Sequence, residues 1–272
     1  MIAPLDMPRA YLKWNRRWGA PFGSRLYRSV QRWPRLRGPF DRTMFRVAPG
    51  LRGMFAIQPN NATRAYEYPW VFDACRVARG MRVLEIGGGL SGFQFVLDRS
   101  GADVTNVDPG EAAHGRGWPV DEHSIARLNR VFGTSIELRN TFLQDAGLES
   151  ASFDRVISVS TIEHIPESEL PSLMSEVVRL LKPGGMFVAT VDLFLNVQPF
   201  TTRERNEFGT NISVADLIEP HGLELVAGAR EELHGYKEFS PGAVQSRLEN
   251  YLLGSYPALI QTLVAKKPEH AA

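Results

Sequence analysis

Seven short stretches rich in Val, Ile and Leu recur from residue 82 to the end of the chain, at 82–86, 103–107, 135–139, 155–159, 186–191, 223–228 and 258–266. Each has the length and β-branched bias of a strand. Segments with helical spacing lie between most of them; in 170–181, Leu173, Val177, Leu180 and Leu181 make one apolar face. Alternating strands and helices predict an α/β fold, with a largely parallel seven-stranded sheet covered by helices on both faces. Residues 1–62 break this pattern. Trp14, Trp18, Phe22, Tyr27 and Trp33 are mixed with arginines and interrupted by Pro21, Pro34, Pro39, Pro49 and Pro59. Short helices and irregular chain are expected there, as an N-terminal extension in front of a domain spanning 63–272.

Composition adds few constraints. The chain has 272 residues, 43% hydrophobic and 22% charged, and no apolar run approaches the roughly 18 residues of a membrane span. The first twenty residues lack the apolar stretch and cleavage site of a secretory signal, so a cytoplasmic location is expected. Cys75 is the single cysteine, which excludes an internal disulfide and a cysteine-rich zinc site; no other metal-ligand spacing is present, and no metal is expected. Charge is more informative. The net value is only +1, but residues 1–64 hold 13 Lys and Arg against Asp6 and Asp41, and the excess of acid lies in the remainder. An acidic partner surface would meet this asymmetry, and so would packing on the chain's own acidic remainder or on a second copy in a homodimer.

The first strand runs into Glu85-Ile86-Gly87-Gly88-Gly89-Leu90-Ser91-Gly92, and Asp108 follows Gly89 by 19 residues. Gly87, Gly89 and Gly92 satisfy the dinucleotide fingerprint, so this loop alone allows an NAD enzyme. Glycines let backbone approach a ligand, and a carboxylate ending the second strand accepts hydrogen bonds from a ribose diol. That logic applies to any adenosine cofactor. Three features distinguish the cases. Glu85 stands where a dinucleotide loop prefers an apolar residue; Ser152 to Ser158 is followed by Ile162-Glu163-His164-Ile165-Pro166; and Leu180-Leu181-Lys182-Pro183-Gly184-Gly185 precedes an apolar strand. In this order they resemble the motifs of the class I, Rossmann-like S-adenosylmethionine-dependent methyltransferases, over roughly residues 63–267.

The resemblance implies a seven-stranded sheet whose last strand, 258–266, is antiparallel, and S-adenosyl-L-methionine as cofactor with S-adenosyl-L-homocysteine as product. Glu85, Gly87, Gly88 and Gly89 would then lie beside the methionine part and ribose, with Asp108 and Pro109 at the ribose. Asp108 has an alternative role in capping the turn at Pro109-Gly110. Leu143, Gln144 and Asp145 fall in the adenine region, Ser160 in the fourth-strand motif, and Tyr68 where the family closes over the cofactor. His164 is the candidate general base, since imidazole titrates near working pH; the alternative is that it fixes its loop. His114 and Trp118 after strand two, and Asp192, Arg203 and Arg205 after strand five, are candidate acceptor contacts.

The function expected from these residues is methyl transfer to a small-molecule or glycan-like acceptor, with oxygen preferred. The arginines and tryptophans of the extension raise two variants: an RNA acceptor, or peripheral contact with anionic membrane that brings the domain to a lipid-linked acceptor. Against nucleic acid, Ser158-Val159-Ser160-Thr161 lacks the Pro-Pro-aromatic motif of amino-methylating nucleic-acid enzymes. A noncatalytic nucleotide-binding module is the alternative from another class.

Overall fold

The computed structural model describes residues 1–113, 119–254 and 257–269. Its strands are β1 (Arg82–Ile86), β2 (Asp103–Val107), β3 (Glu137–Arg139), β4 (Phe153–Val159), β5 (Leu181–Phe194), β6 (Glu224–Ala227) and β7 (Ala258–Lys266). They form one sheet in the order β3-β2-β1-β4-β5-β7-β6. Neighbours from β3 to β5 pair in parallel, and β7 runs antiparallel to both β5 and β6. The sheet therefore reverses its winding between β1 and β4, the place where α/β folds open a crevice at the strand carboxyl ends.

All seven expected strands are present; β1, β2 and β7 have the expected boundaries, and those of the other four differ. β3 starts at Glu137 and not at 135 because side chains take the preceding backbone groups: Ser135 N–H bonds to Asp98 at 3.1 Å and Ile136 N–H to Asn129 at 3.0 Å. β4 begins two residues earlier than expected, and its register shifts between Phe153 and Arg155. That irregularity places Phe153 on the same face as Val156. β5 absorbs the Lys182–Gly185 turn, which Lys267 holds through paired backbone bonds with Gly184 and Gly185 at 2.9 Å.

Alternation along the strands divides the core in two. Val83, Ile157, Val188 and Ile260 face α5 (Arg64–Cys75), α6 (Gly92–Arg99) and α7 (Glu122–Phe132). Leu84, Ile86, Val156 and Phe187 face α8 (Leu170–Leu180) and α9 (Val214–Ile218). On α8 the buried set is Leu170, Leu173, Met174, Val177 and Leu180, one helical stripe. A short helix, α10 (Pro241–Gln245), closes the end of the sheet by burying Val244 with Ile2, Leu193 and Leu259.

The extension forms α1 (Arg9–Trp18), α2 (Arg25–Gln31), α3 (Pro34–Arg42) and α4 (Met44–Val47), numbered ahead of α5 in chain order. It is joined to the sheet at both of its ends. Residues 1–3 lie antiparallel beside β7, with Ala3 N–H donating to Ile260 O at 2.8 Å and Thr262 N–H to Met1 O at 2.7 Å. β6 pairs only with the far end of β7, so this first segment continues the edge that β6 leaves. Trp14 wedges among Phe55, Phe72 and Phe93, with ring centroids 5.6–6.3 Å away. Ala3, Ala20, Met54 and Phe55 belong to the same buried cluster as the sheet.

Trp14→Ala is expected to cost about 3 kcal/mol in urea-induced unfolding of the full chain, the scale of an aromatic truncation in a core. A loss under about 1 kcal/mol would show that this aromatic junction carries little of the stability.

Candidate active site

The chain leaves β1 through Gly87 and Gly89, whose φ of 69° and 52° lie in the left-handed region. Space is as restrictive as conformation. A Cβ on Gly87 would run into the Thr161 side chain, and one on Gly88 would come within 2.8 Å of Asn106 Oδ1 and 2.9 Å of the Glu85 carboxyl carbon. Side chains bond the loop's backbone groups. Asn106 accepts from Gly88 N–H at 3.2 Å and donates to Gly89 O at 3.0 Å, where Gln94 also donates at 3.0 Å. Asp108 accepts from Gly89 N–H through one carboxylate oxygen and from Gly110 N–H through the other, both at 2.7 Å. Gln58, from the extension, accepts from Leu90 N–H at 2.8 Å. Gly92, the third glycine of the fingerprint, serves packing and not the ligand loop. A Cβ there would lie 2.7 Å from the Met54 carbonyl carbon, so its absence permits the extension to pack against α6.

Above this loop lies a cavity of about 520 Å³, within the size range of small-molecule sites. Glu85 is on its wall and 98% buried; Ser91 Oγ donates to Oε1 at 3.4 Å, and Oε2 has no partner. Burial pushes the Glu85 carboxyl up to about 8, with the nearby Asp108 adding to the rise and Ser91 opposing it. Asp108 is also raised by burial, against the two backbone N–H bonds that favour its charged form.

A second polar group occupies the ends of β4 and β5. Ser160 follows β4 with φ 42°, and its N–H bonds to Thr190 O at 2.9 Å. Its hydroxyl donates to Glu67 Oε1 at 2.6 Å and reaches Asp192 Oδ1 at 3.3 Å. Thr190 Oγ1 also donates to Glu67, at 2.7 Å, and Arg64 pairs with the other Glu67 oxygen. Burial pushes Glu67 up, but the Arg64 guanidinium and the two hydroxyls overcome it and hold the carboxylate below its ordinary range. Glu163 makes no ion pair among the described residues, and the charge of Arg64 only partly offsets its burial. It is 99% buried, neither carboxyl oxygen has a hydrogen bond, and burial followed by repulsion from Asp192 drives it well above the usual range.

His164 lies at the cavity edge, with Nδ1 2.8 Å from the Phe208 carbonyl oxygen. A carbonyl only accepts, so Nδ1 carries the proton in that contact and the neutral ring has its lone pair on Nε2.

Glu85, Gly87, Gly88, Asp108, Pro109, Leu143, Ser160, His164 and Tyr68 all line this one cavity. Gly89 lies just behind it, its N–H taken by Asp108. Asp145 does not line the wall: it ends the 3₁₀ turn Leu143–Asp145 exposed, and Phe142 and Gln144 face the cavity in its place. Asp192 is buried behind Ser160. Arg203 and Arg205 are exposed outside the cavity, because Asn206 accepts from Phe208 and Gly209 N–H and turns Glu207 and Phe208 inward. His114 and Trp118 lie outside the described residues. Gln58, Asn60, Asn61 and Arg64 complete the wall from the extension and the start of α5, where the sequence contains no motif. Among the described residues, no three His, Cys, Asp or Glu side chains are grouped to hold a metal ion.

Strand order, the glycine turn and a carboxylate at the end of β2 define the class: a Rossmann-like α/β protein with the class I methyltransferase topology. Residues 84–189 match the methyltransferase domain family. Ubiquinone biosynthesis O-methyltransferase from Hahella chejuensis is 34% identical over 116 residues, 42% of this chain and 44% of the relative. The protein of the same name from Cereibacter sphaeroides is 29% identical over 54% of this chain and 62% of its own length. The chain thus spans about half the length of these curated relatives. Among solved structures, the [4+2]-cyclase SpnF aligns with a TM-score of 0.57 at 14% identity, covering 86% of this chain and 95% of that one. The 1,6-didemethyltoxoflavin-N1-methyltransferase of Burkholderia thailandensis, solved with S-adenosylhomocysteine, aligns at 0.51 and 17% identity over 98% and 95%. At these identities the structures establish the shared fold.

The buried Glu85 has a measurable consequence in the ligand-free protein. Its folded-state pKa is raised, so the unfolded chain releases this proton from the ordinary carboxylate range upward while the folded chain keeps it to about pH 8. Folded stability therefore falls with rising pH across that window. Glu85→Gln should remove this fall and gain on the wild type by up to about 1.4 kcal/mol per pH unit between pH 5 and 8 in denaturant titrations. A difference independent of pH would show that Glu85 is not held as a buried acid.

Proposed function

We propose that the chain is an S-adenosylmethionine-dependent methyltransferase acting on a hydroxyl oxygen of a small-molecule or glycan-like acceptor. The observation that carries this reading is the unpartnered, buried Glu85 oxygen on the cavity wall, with the Arg64 guanidinium close enough to oppose the rise in Glu85's pKa. An anionic and a cationic group on one wall suit a zwitterionic amino-acid end: Glu85 for the ammonium and Arg64 for the carboxylate. Asp108 retains lone pairs for a ribose diol beyond its two backbone bonds, and Pro109, Phe142, Leu143 and Gln144 offer a mostly apolar cradle for a base. The groups present fit the cofactor. When bound, it supplies an activated methyl group, which leaves the chain to align the acceptor and remove its proton.

Ser160, Thr161, His164 and Phe208 form the part of the wall next to the ends of β4 and β5, and this is the acceptor side. His164, with its lone pair on Nε2, is suited to accept a hydroxyl proton there. Oxygen as the target is supported by the relatives named as O-methyltransferases.

A peripheral membrane setting is a variant of this reading, favoured by the exposed apolar side chains of the extension. Phe22, Leu26, Val47 and Leu51 are exposed, Trp33 is 65% exposed, and arginines lie throughout the same stretch. Arg16, Arg17, Arg25 and Arg99 line a groove of about 420 Å³ with no carboxylate in its lining. Aromatic side chains among cations suit an anionic lipid interface.

Calorimetry should give micromolar binding of S-adenosylhomocysteine and none of NAD, with Asp108→Ala weakening the former by about 1.5–3 kcal/mol. Binding of NAD alone would overturn the cofactor assignment, and undiminished affinity in the variant would overturn the role of Asp108. Co-sedimentation with phosphatidylglycerol vesicles should fall in Trp33→Ala and in Arg16→Glu/Arg25→Glu, by about 1 kcal/mol per lost cation, with no binding to phosphatidylcholine. Equal binding by wild type and variants would remove the membrane variant.

A further inference from the structure

We propose that the groove lined by Arg16, Arg17, Arg25 and Arg99 is a second ligand site, which takes a phosphate monoester or diphosphate group. It shares no lining residue with the cavity above the glycine loop, and so stands apart from the methyl-transfer reading.

Three separate segments bring these cations to one groove. Arg16 and Arg17 end α1, Arg25 begins α2 and Arg99 ends α6. Part of this has a local reason, since the carbonyl end of a helix favours a cation and Arg16, Arg17 and Arg99 all lie in last turns. Arg25 has the opposite placement. A cation in a first turn meets the positive end of the helix dipole, and no acidic residue in that turn offsets it. Sequences break local rules of this kind where a site requires it, and the helix gives no reason for Arg25.

The chain's own acids do not neutralise the group. Among the described residues none of the four arginines makes an ion pair, whereas Arg52 pairs with Asp41 and Arg64 with Glu67. Asp98, the sequence neighbour of Arg99, instead accepts from Ser135 N–H at 3.1 Å and from its hydroxyl at 2.9 Å. Two of the guanidiniums are held in place: Arg99 Nη1 donates to Phe132 O at 3.0 Å, and Arg17 lies 5.0 Å from the Trp18 ring centroid. Each keeps further N–H groups for a ligand, and a cation already held loses less freedom on binding. The groove's backbone is braced as well. Ser24 N–H bonds to Arg52 O at 2.7 Å and its hydroxyl to Leu51 O at 2.6 Å, a junction that admits only glycine at position 53, where a Cβ would come 2.8 Å from Ser24 N.

Charge and shape name the ligand class. Guanidinium forks match phosphate oxygens, and four cations suit a group carrying two or more negative charges better than a single carboxylate. Trp18, Met54, Val131 and Phe132 supply apolar lining, a surface for the organic part of an ester. A soluble phosphate ester and the headgroup of phosphatidic acid present this same chemistry.

Calorimetry of the full chain with inorganic pyrophosphate, and co-sedimentation with phosphatidylcholine vesicles containing phosphatidic acid, separate the two sources. Arg16 and Arg25 are exposed, so Arg16→Glu and Arg25→Glu leave the core untouched. Arg32→Glu is the control, because it makes the same charge change outside the groove lining. Arg32 follows Arg25 by seven residues, about 10 Å along a helix axis, which exceeds the screening length of about 8 Å at about 0.15 M salt. Pyrophosphate should bind the wild type, at least about tenfold more weakly in Arg16→Glu and Arg25→Glu, and within about threefold of wild type in Arg32→Glu. That result assigns the groove to a soluble ester. Vesicle binding without pyrophosphate binding, with the same order of variants, assigns the groove to a lipid headgroup. Binding of neither probe overturns the site. Equal weakening by Arg25→Glu and Arg32→Glu also overturns it, because diffuse charge then accounts for the attraction.

Discussion

A backbone that turns through the left-handed region at Gly87 and Gly89, beyond the last pairing of β1, needs partners for its buried N–H and C=O groups. That requirement organises the site. Asn106 and Asp108 on and after β2, Gln94 on α6 and Gln58 in the extension each bond a loop amide or carbonyl. Their own positions are then fixed by the loop they hold. Asp108 illustrates the economy: the carboxylate that faces the cavity is the same one that ties Gly89 to Gly110. Capping the turn and presenting a carboxylate to a ligand are one arrangement, because a carboxylate has more lone pairs than these two bonds use.

Satisfying the loop in this way leaves an electrostatic imbalance that the folded chain tolerates only by shifting proton affinities. Glu85 and Asp108 lie at one end of the cavity wall, and Glu67, Glu163 and Asp192 behind the other, while Arg64 is the cation that influences most of them. One guanidinium holds Glu67 ionised. Burial raises Glu85, Asp108 and Glu163, so the site keeps protons that exposed carboxyls would lose. A cationic ligand reverses that preference locally, favouring ionised Glu85 without any movement of the backbone.

The sheet was legible in the sequence because strands between two helical layers must be apolar, and those apolar runs stand out against polar loops. Boundaries were less legible where side chains took over backbone bonds, as Asp98 and Asn129 do before β3. Within the site, glycines and strand-end acids were readable because their conformation and charge are local properties. Residues acting across the fold were not: Gln58 reaches Leu90 from 32 positions away, and Glu67 meets Ser160 across 93. Asn106 did offer a signal, a polar side chain in an apolar strand beside the glycine loop. The loop after β5 shows the opposite case, with Arg203 and Arg205 conspicuous in sequence and exposed in the structure, while Asn206 directs their neighbours inward.

The extension shows why composition alone leaves a charged segment ambiguous. Its aromatics divide between two roles, since Trp14 packs among Phe55, Phe72 and Phe93 whereas Trp33 faces solvent. The inward set, with Gln58 and Asn60, makes the segment part of the cavity wall, so its docking and the shape of the ligand site are one problem. Its arginines divide less evenly. Arg52 pairs with Asp41 and Arg64 with Glu67, but Arg16, Arg17 and Arg25 share a groove with Arg99 that no acid lines. Packing on the acidic remainder therefore accounts for the apolar half of the segment and not for its charge. Cations gathered in this way repel one another, and none of the chain's acids lines the groove to offset that repulsion.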